Sequence, residues 1–430
     1  MPDIPPLLLL DGATGTELAR RGVDTHGPAW SAPAVERARD VLAAIHAEHA
    51  RAGADVITAN TFRTQRRALS RIGQARRARE WTVEAVRIAR QAVEQVLEEQ
   101  GGERAVRVAG SVAPLEDSYR PDLAPDEATA RREHDEHAGH LAEAGVDLLL
   151  VETMTTIAES RAATAAAAGT GLETWSSVTT DRSGERLLSG EAITAWVESL
   201  ASYRPAALLV NCIAPEAARA ALTLLAPLAR EVGSLPGAYA NLGSSEPLPG
   251  GGFDIALEPD AYAETAKGLL AAGARILGGC CGTTPDHTRA LRGLLDERLA
   301  AEHAAAQEAE AGWRSLVARA GAMAGRGPAL VVGHVDASLL PDRDLVRPGP
   351  DELARLPRGR FSLAVVEGEP ILLRAAGAAL EAGGWLVARS DASRGASASD
   401  GPRELQLEGF EVREVATDGG RVLILARHLG

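Results

Sequence analysis

The chain has 430 residues, 45% hydrophobic and 24% charged, with a formal net charge of -14. That length and apolar content suffice for one large domain plus a smaller one, or for two to three of average size. Lys267 is the one lysine and the arginines form no basic cluster, so neither nucleic acid nor an anionic membrane is an expected partner.

The first apolar run, Leu7–Leu10, has no basic residue before it and stops at Asp11, which fits neither a secretory signal nor a membrane span. Seven more short apolar runs follow: Asp55–Ala59, Val106–Ala109, Asp147–Val151, Glu173–Val178, Ala207–Val210, Ala238–Ala240 and Arg275–Leu277. Each leads into a segment of helical character, for example Ala128–Ala144 or Pro259–Ala272. The strings RAGADVI, EAGVDLLL and AAGARIL place a Gly where a helix stops in the left-handed conformation and then enter a strand. Eight strand–helix units in about 290 residues predict an α/β fold of the (β/α)₈ TIM-barrel type, since an open doubly wound sheet does not need eight similar units.

The Ala- and Glu-rich stretch Leu291–Trp313 reads as the last barrel helix running into a connector. We place a domain boundary there, with the barrel over 1–312 and a small α/β module over 313–430. The module shows strand-like runs at Ala329–Val332, Phe361–Val366, Trp385–Arg389, Gly409–Val415 and Val422–Ala426, with a polar loop near Ser393–Gly401. The string Gly325-Arg326-Gly327 precedes a strand instead of following one and is not a phosphate loop.

A barrel of this kind carries its chemistry at the C-terminal ends of its strands. Those ends read Asp11-Gly-Ala-Thr-Gly-Thr, Asn60-Thr-Phe, Gly110-Ser, Glu152-Thr, Asn211-Cys, Asn241-Leu-Gly and Gly278-Gly-Cys-Cys-Gly. All three cysteines, Cys212, Cys280 and Cys281, therefore fall at one rim. An isolated cysteine is commonly a small buried hydrophobe, but three independent ones would not all collect there. An odd count with two adjacent residues is a poor disulfide framework and points to a reducing cytoplasm. Three thiolates suit Zn²⁺ and leave a fourth position open, the pattern of a catalytic site. The flanking Gly278, Gly279 and Gly282 are expected to give the backbone the freedom to turn both adjacent sulfurs to one ion. Three thiolates make a poor activator of water but suit an incoming thiol, so thiol alkylation is the leading reaction class, with Asp11 and Glu152 as anchors for an ammonium group.

These residues resemble the zinc-dependent homocysteine S-methyltransferases, the barrel shared with betaine-homocysteine methyltransferase and with the homocysteine half of cobalamin-dependent methionine synthase. The likeness spans about residues 7–300 and rests on LLLDGATGTEL, WSAPAV, AGADVITANTF, AGSVAP, GVDLLLVET, NCIAP and GGCCGTTPDHTRAL. It implies Cys212, Cys280 and Cys281 as zinc ligands, and homocysteine held by Asp11, Glu152 and the backbone near Gly12. It further implies Asn241 at the metal site, in a segment reading Tyr239-Ala-Asn-Leu-Gly where the family has a Pro, and Thr61 and Trp30 in the substrate wall. The implied reaction is a single displacement in which the homocysteine thiolate takes a methyl group from a cationic onium donor and leaves as methionine. Such a donor favours aromatic faces, and Trp30, Phe62, Tyr119 and Tyr239 are the candidates. Arg63 stands where a smaller or uncharged residue is expected, which narrows the donor pocket or selects a donor carrying a carboxylate.

The chain has no cobalamin-binding Asp-x-His-x-x-Gly segment, which leaves S-methylmethionine or S-adenosylmethionine as donor, with betaine-type donors behind them. The C-terminal module resembles the second half of a class I methyltransferase, with a strand, a helix, a Gly-Gly turn into the next strand and a terminal hairpin. Without the first half it is read as a non-catalytic packing or oligomerisation module of a homo-oligomer, with a lid that reshapes the donor pocket as the alternative. Two other readings stay open at this point: a different thiol or selenol acceptor, and a catalytically silent zinc- or thiol-binding barrel.

Overall fold

The computed structural model describes residues 6–102, 104–243, 257–324, 329–332, 339–340, 345–347, 361–367, 380–391, 410–418 and 421–428. Eight strands form the first sheet: β1 (Leu8–Leu9), β2 (Val56–Ala59), β3 (Arg107–Val112), β4 (Leu148–Met154), β5 (Glu173–Val178), β6 (Ala207–Asn211), β7 (Leu235–Ala240) and β8 (Ile276–Gly279). Their order is β1-β8-β7-β6-β5-β4-β3-β2, and every pairing is parallel. A parallel bridge from Leu10 to Val56 joins the two ends, backed by Asp55 N–H donating to Leu9 O at 2.7 Å. The closed (β/α)₈ barrel is thus present, with each expected run in a strand.

Strand alternation sorts the apolar residues into two layers. Leu10, Val56, Leu148, Leu150, Trp175 and Leu209 fill the barrel interior. Their neighbours Leu9, Ile57, Leu149, Val151, Leu208 and Leu277 face outward into the larger cluster shared with the helices. Helix ends follow the local signals: Asp126 caps Glu127–Ala144 by accepting from Thr129 N, and Gly145 ends it at φ 78°. Gly53 and Gly273 adopt the same left-handed conformation before β2 and β8.

One strand starts three residues earlier than expected. The Pro236-Gly237 pair ahead of Ala238 resembles a turn, yet both lie within β7. Gly237 is needed there for space, because a Cβ would stand 2.6 Å from Ile276 O and 2.4 Å from the Leu209 side chain.

The chain divides into two compact units between Leu299 and Ala300, not at 312/313. That point lies inside one unbroken helix, Pro285–Met323. Trp313, Leu316, Val317 and Ala320 of this helix belong to the second core, with Val331, Leu363, Val365, Val387 and Leu425. The second sheet contains β9 (Ala329–Val332), β10 (Leu345–Val346), β11 (Phe361–Glu367), β12 (Leu380–Asp391), β13 (Phe410–Asp418) and β14 (Arg421–His428). Its order is β10-β9-β11-β12-β14-β13, parallel through β12, with the expected antiparallel terminal hairpin. The Gly383-Gly384 pair, expected as a turn, lies inside β12 where its register with β11 breaks. The expected helix between β11 and β12, the Ser393–Gly401 loop and the Gly325–Gly327 string lie outside the described residues. Among the described residues no helix is long and apolar enough to cross a membrane.

Candidate active site and metal centre

The three cysteines converge although 67 residues lie between Cys212 and Cys280 in sequence. Their sulfurs all lie within 4.8 Å of one another, and all three thiols are free. Cys212 follows β6 in the left-handed conformation, φ 59°, which is costly for a residue with a Cβ. Its N–H donates to Tyr239 O at 3.3 Å, while Cys280 N–H donates to Ala240 O at 2.8 Å. The Asn241 carboxamide oxygen accepts from Cys281 N–H at 3.1 Å and so fixes the second sulfur of the pair.

The glycines around the cysteine pair work differently from the expectation. Gly282 alone of the three takes a positive φ, 88°. Gly279 is extended at the end of β8, and a Cβ there would sit 2.4 Å from Thr283 Oγ1. A Cβ on Gly278 would sit 2.9 Å from Leu10 Cβ. Close approach, not backbone freedom, demands Gly at these two positions. Thr283 exploits the space: its hydroxyl donates to Cys280 O at 2.8 Å and accepts from Ala13 N–H at 3.0 Å.

Two sulfurs, each about 2.3 Å from a tetrahedral zinc, stand about 3.8 Å apart, and Cys212 Sγ lies 3.7 Å from Cys281 Sγ. The spacing and the soft donor set fit a zinc-type ion. Without a cation the sulfurs share their protons: hydrogen bonds from Cys280, Cys281 and Tyr119 push the Cys212 thiol well down, while that same interaction pushes Cys280 up. Tyr119 Oη stands 3.1 Å from Cys212 Sγ, so this loop tyrosine faces the sulfur cluster.

A cavity of about 420 Å³ opens onto the cysteines and is lined also by Asp11, Gly12, Trp30, Phe62, Arg63, Glu152 and Tyr239. Asp11 accepts from Thr58 N–H at 2.7 Å and from Thr58 Oγ1 at 2.8 Å. Glu152 accepts from the Ser111 hydroxyl and from Tyr239 Oη, the latter at 3.1 Å. Burial raises Asp11 to about 8 and Glu152 to about 7, despite these hydrogen bonds. Two buried carboxyls short of positive charge suit an incoming ammonium group, which would restore their ionised forms.

Trp30 and Phe62 meet edge to face with centroids 5.4 Å apart. Trp30 is held at φ 44°, and its six-membered ring occupies the space a Cβ on Gly15 would need, 2.2 Å from Cζ2. Ser31 and Asn60 lock this loop to β2 through Ser31 Oγ to Asn60 Oδ1 at 2.7 Å and Asn60 Nδ2 to Ser31 O at 2.9 Å.

Asp11, Gly12, Trp30, Glu152 and the cysteines thus meet in one cavity, whereas Thr61 and Asn241 lie behind its wall. Thr61 is fully buried, and its hydroxyl exchanges hydrogen bonds with the backbone of Ser111 at 3.0 and 2.9 Å. Asn211, named from the sequence only as the end of the sixth strand and given no role there, organises the rim. It accepts from Thr153 N–H at 3.0 Å and Ser177 Oγ at 2.7 Å, and donates to Thr153 Oγ1 at 2.8 Å. Thr153, next to Glu152, is itself left-handed at φ 61°, so Asn211 ties the end of β4 to the strand that presents Cys212. The available signal was its place immediately before the rim cysteine.

Comparison with known proteins agrees with this geometry. The homocysteine S-methyltransferase family profile matches residues 8–295. The homocysteine S-methyltransferase of Escherichia coli strain K12 is 34% identical over 301 residues, covering 67% of this chain and 96% of the relative. The methionine synthase of Mycobacterium tuberculosis is 32% identical over 297 residues, covering 65% of this chain but only 24% of that much longer protein. Among solved structures, the metallated form of the E. coli homocysteine methyltransferase MmuM aligns with a TM-score of 0.59 at 30% identity, covering 68% of this chain and 97% of that one. Its oxidised form aligns at 0.58 and 31%, covering 67% and 95%. Through its barrel, the chain belongs to the homocysteine S-methyltransferase family.

Proposed function

We propose that the protein uses Zn²⁺ to move a methyl group from a cationic donor, S-methylmethionine or S-adenosylmethionine, to the sulfur of homocysteine, forming methionine. The observation that carries this reading is the convergence of three free thiols on a cavity that also holds two buried carboxyls and an aromatic pair. Cys212, Cys280 and Cys281 would hold the ion, which supplies the Lewis acidity that keeps a fourth thiol ionised at neutral pH while leaving it nucleophilic.

The chain's own residues do the positioning. Asp11 and Glu152 bind the homocysteine ammonium, and the backbone around Gly12 borders the acceptor. Trp30 and Phe62 offer ring surface to the onium methyl groups. The reaction forms one sulfur–carbon bond and breaks the bond between the methyl carbon and the donor's onium atom. The donor leaves neutral and no proton moves at the reacting carbon. Rate enhancement therefore rests on alignment and on drying of the charged reactants. Three unbridged thiols suit a reducing compartment such as the cytoplasm. The C-terminal unit is a non-catalytic appendage in this reading.

The test is mass spectrometry of zinc-loaded protein with homocysteine and methyl-labelled S-methylmethionine, S-adenosylmethionine or betaine. Labelled methionine from one donor establishes the reaction and names that donor. No labelled methionine from any of them overturns the reading.

A further inference from the structure

Arg63 lines the cavity and has no part in the methyl transfer described above. It follows Phe62 at the end of β2, and its guanidinium lies over that ring, 4.9 Å from the centroid. Nη1 donates to Pro114 O at 2.6 Å, and Nη2 reaches Ser118 Oγ at 3.5 Å. Among the described residues no carboxylate forms an ion pair with it. The nearby arginines Arg67 and Arg71 are both paired with Glu116. Burial lowers Arg63 to about 10, opposed in part by the more distant Asp117, so it stays charged at neutral pH.

A guanidinium held against a backbone carbonyl and a ring keeps several of its five donors in hand, in a fork that matches a carboxylate. Its seat is fixed from behind. Glu159 accepts from Leu115 N–H at 2.8 Å and lies 3.4 Å from His134 Nε2, which pins the loop carrying Pro114. Arg63 lines the same cavity as Phe62, Trp30 and the three cysteines. A ligand that carries both a carboxylate and a methyl-onium centre finds a partner for each in that one cavity.

We infer that Arg63 recognises the carboxylate of the methyl donor and so restricts the enzyme to amino-acid-type onium donors. This rests on the methyl-transfer reading and assigns recognition of the donor's carboxylate to one residue. A charge-assisted pair of this kind corresponds to about a 10- to 100-fold preference.

The experiment compares S-methylmethionine with its decarboxylated analogue, (3-aminopropyl)dimethylsulfonium, as donors to homocysteine on the zinc-loaded full chain. The wild type is expected to favour the carboxylate donor by at least tenfold in kcat/KM. In Arg63→Gln that preference should collapse through a higher donor KM, with the homocysteine KM and bound zinc unchanged, and Arg63→Lys should recover part of it. Equal kcat/KM for the two donors on wild-type protein overturns the inference without any variant having to fold. A rise in the homocysteine KM instead of the donor KM overturns it too, by assigning the guanidinium to the acceptor. Absence of labelled methionine from every donor defeats the methyl-transfer reading itself, a result distinct from either.

Discussion

Cys280 is the least buried of the three cysteines, and without it Cys212 and Cys281 keep only two sulfurs. Two thiolates plus solvent hold zinc weakly, so Cys280→Ala should lose bound zinc and methyl transfer together; metal content by atomic absorption alongside the labelled-methionine assay checks both. Full activity with two sulfurs would remove the metal from the mechanism. Glu152→Gln separates the carboxylate's charge from its shape, since the amide can still meet Ser111 and Tyr239. It should keep zinc and raise the homocysteine KM about 10- to 100-fold, the scale of one charge-assisted hydrogen bond; unchanged kinetics would sink the anchoring role. At this scale the sequence was legible where a side chain faces the cavity directly, as for Asp11, Glu152 and the cysteines. For Thr61 the motif did not show that its hydroxyl bonds the Ser111 backbone, because a motif identifies a segment without saying where each side chain points. Tyr239 was read as an aromatic face; it lines the cavity and also donates its hydroxyl to Glu152, a tie that no motif showed.

Among the elements, the end of β8 shows how tightly the metal loop is packed. Gly279→Ala would drive a Cβ into Thr283, which bonds both Cys280 O and Ala13 N–H. Overpacking of this kind costs about 1–3 kcal/mol, and here it also displaces a cysteine, so a lower Tm should accompany reduced zinc occupancy. A Tm and metal content equal to wild type would show that the loop yields freely. The strands themselves were legible because parallel barrel strands are short apolar runs whose preceding helices end at left-handed glycines, as at Gly53, Gly145 and Gly273. The start of β7 was hidden, since Pro236-Gly237 carries a turn's composition while Gly237 is required by the approach of Ile276. The tie made by Asn211 was hidden for another reason: its partners Thr153 and Ser177 lie on other strands, and a one-dimensional pattern does not pair them.

For the molecule as a whole, the division at Leu299 falls inside a helix because the Ala- and Glu-rich run favours helix throughout, while its apolar partners change along its length. Stability of the barrel should in turn depend on groups buried between helix and sheet. His137 on the helix Glu127–Ala144 is buried, and Nε2 lies 3.2 Å from Ser111 O. Burial lowers it to about 4; the Ser111 carbonyl opposes this, and His134 and His140 on the same helix reinforce it. His46 and His49 are likewise lowered by burial, to about 4 and about 3. Below about pH 6.5 an unfolded chain takes up protons that these folded imidazoles refuse, so each contributes stability that is lost as pH falls from about 6.5 toward its folded value. Asp11 and Glu152 act in the opposite sense in ligand-free protein. Their raised values mean the folded state keeps protons that an unfolded chain releases above about pH 4, which adds stability as pH falls through that window. Because the two groups oppose each other, the pH profile of the wild type alone is ambiguous, whereas the difference between wild type and His137→Gln isolates one imidazole. Denaturant unfolding of both at pH 7.5 and pH 4.5 should show the variant gaining about 2–3 kcal/mol on the wild type as the pH is lowered, at about 1.4 kcal/mol per pH unit. A pH-independent difference would mean that His137 is protonated or solvated in the folded protein, and that the contact between this helix and the end of β3 is wetter than its burial implies.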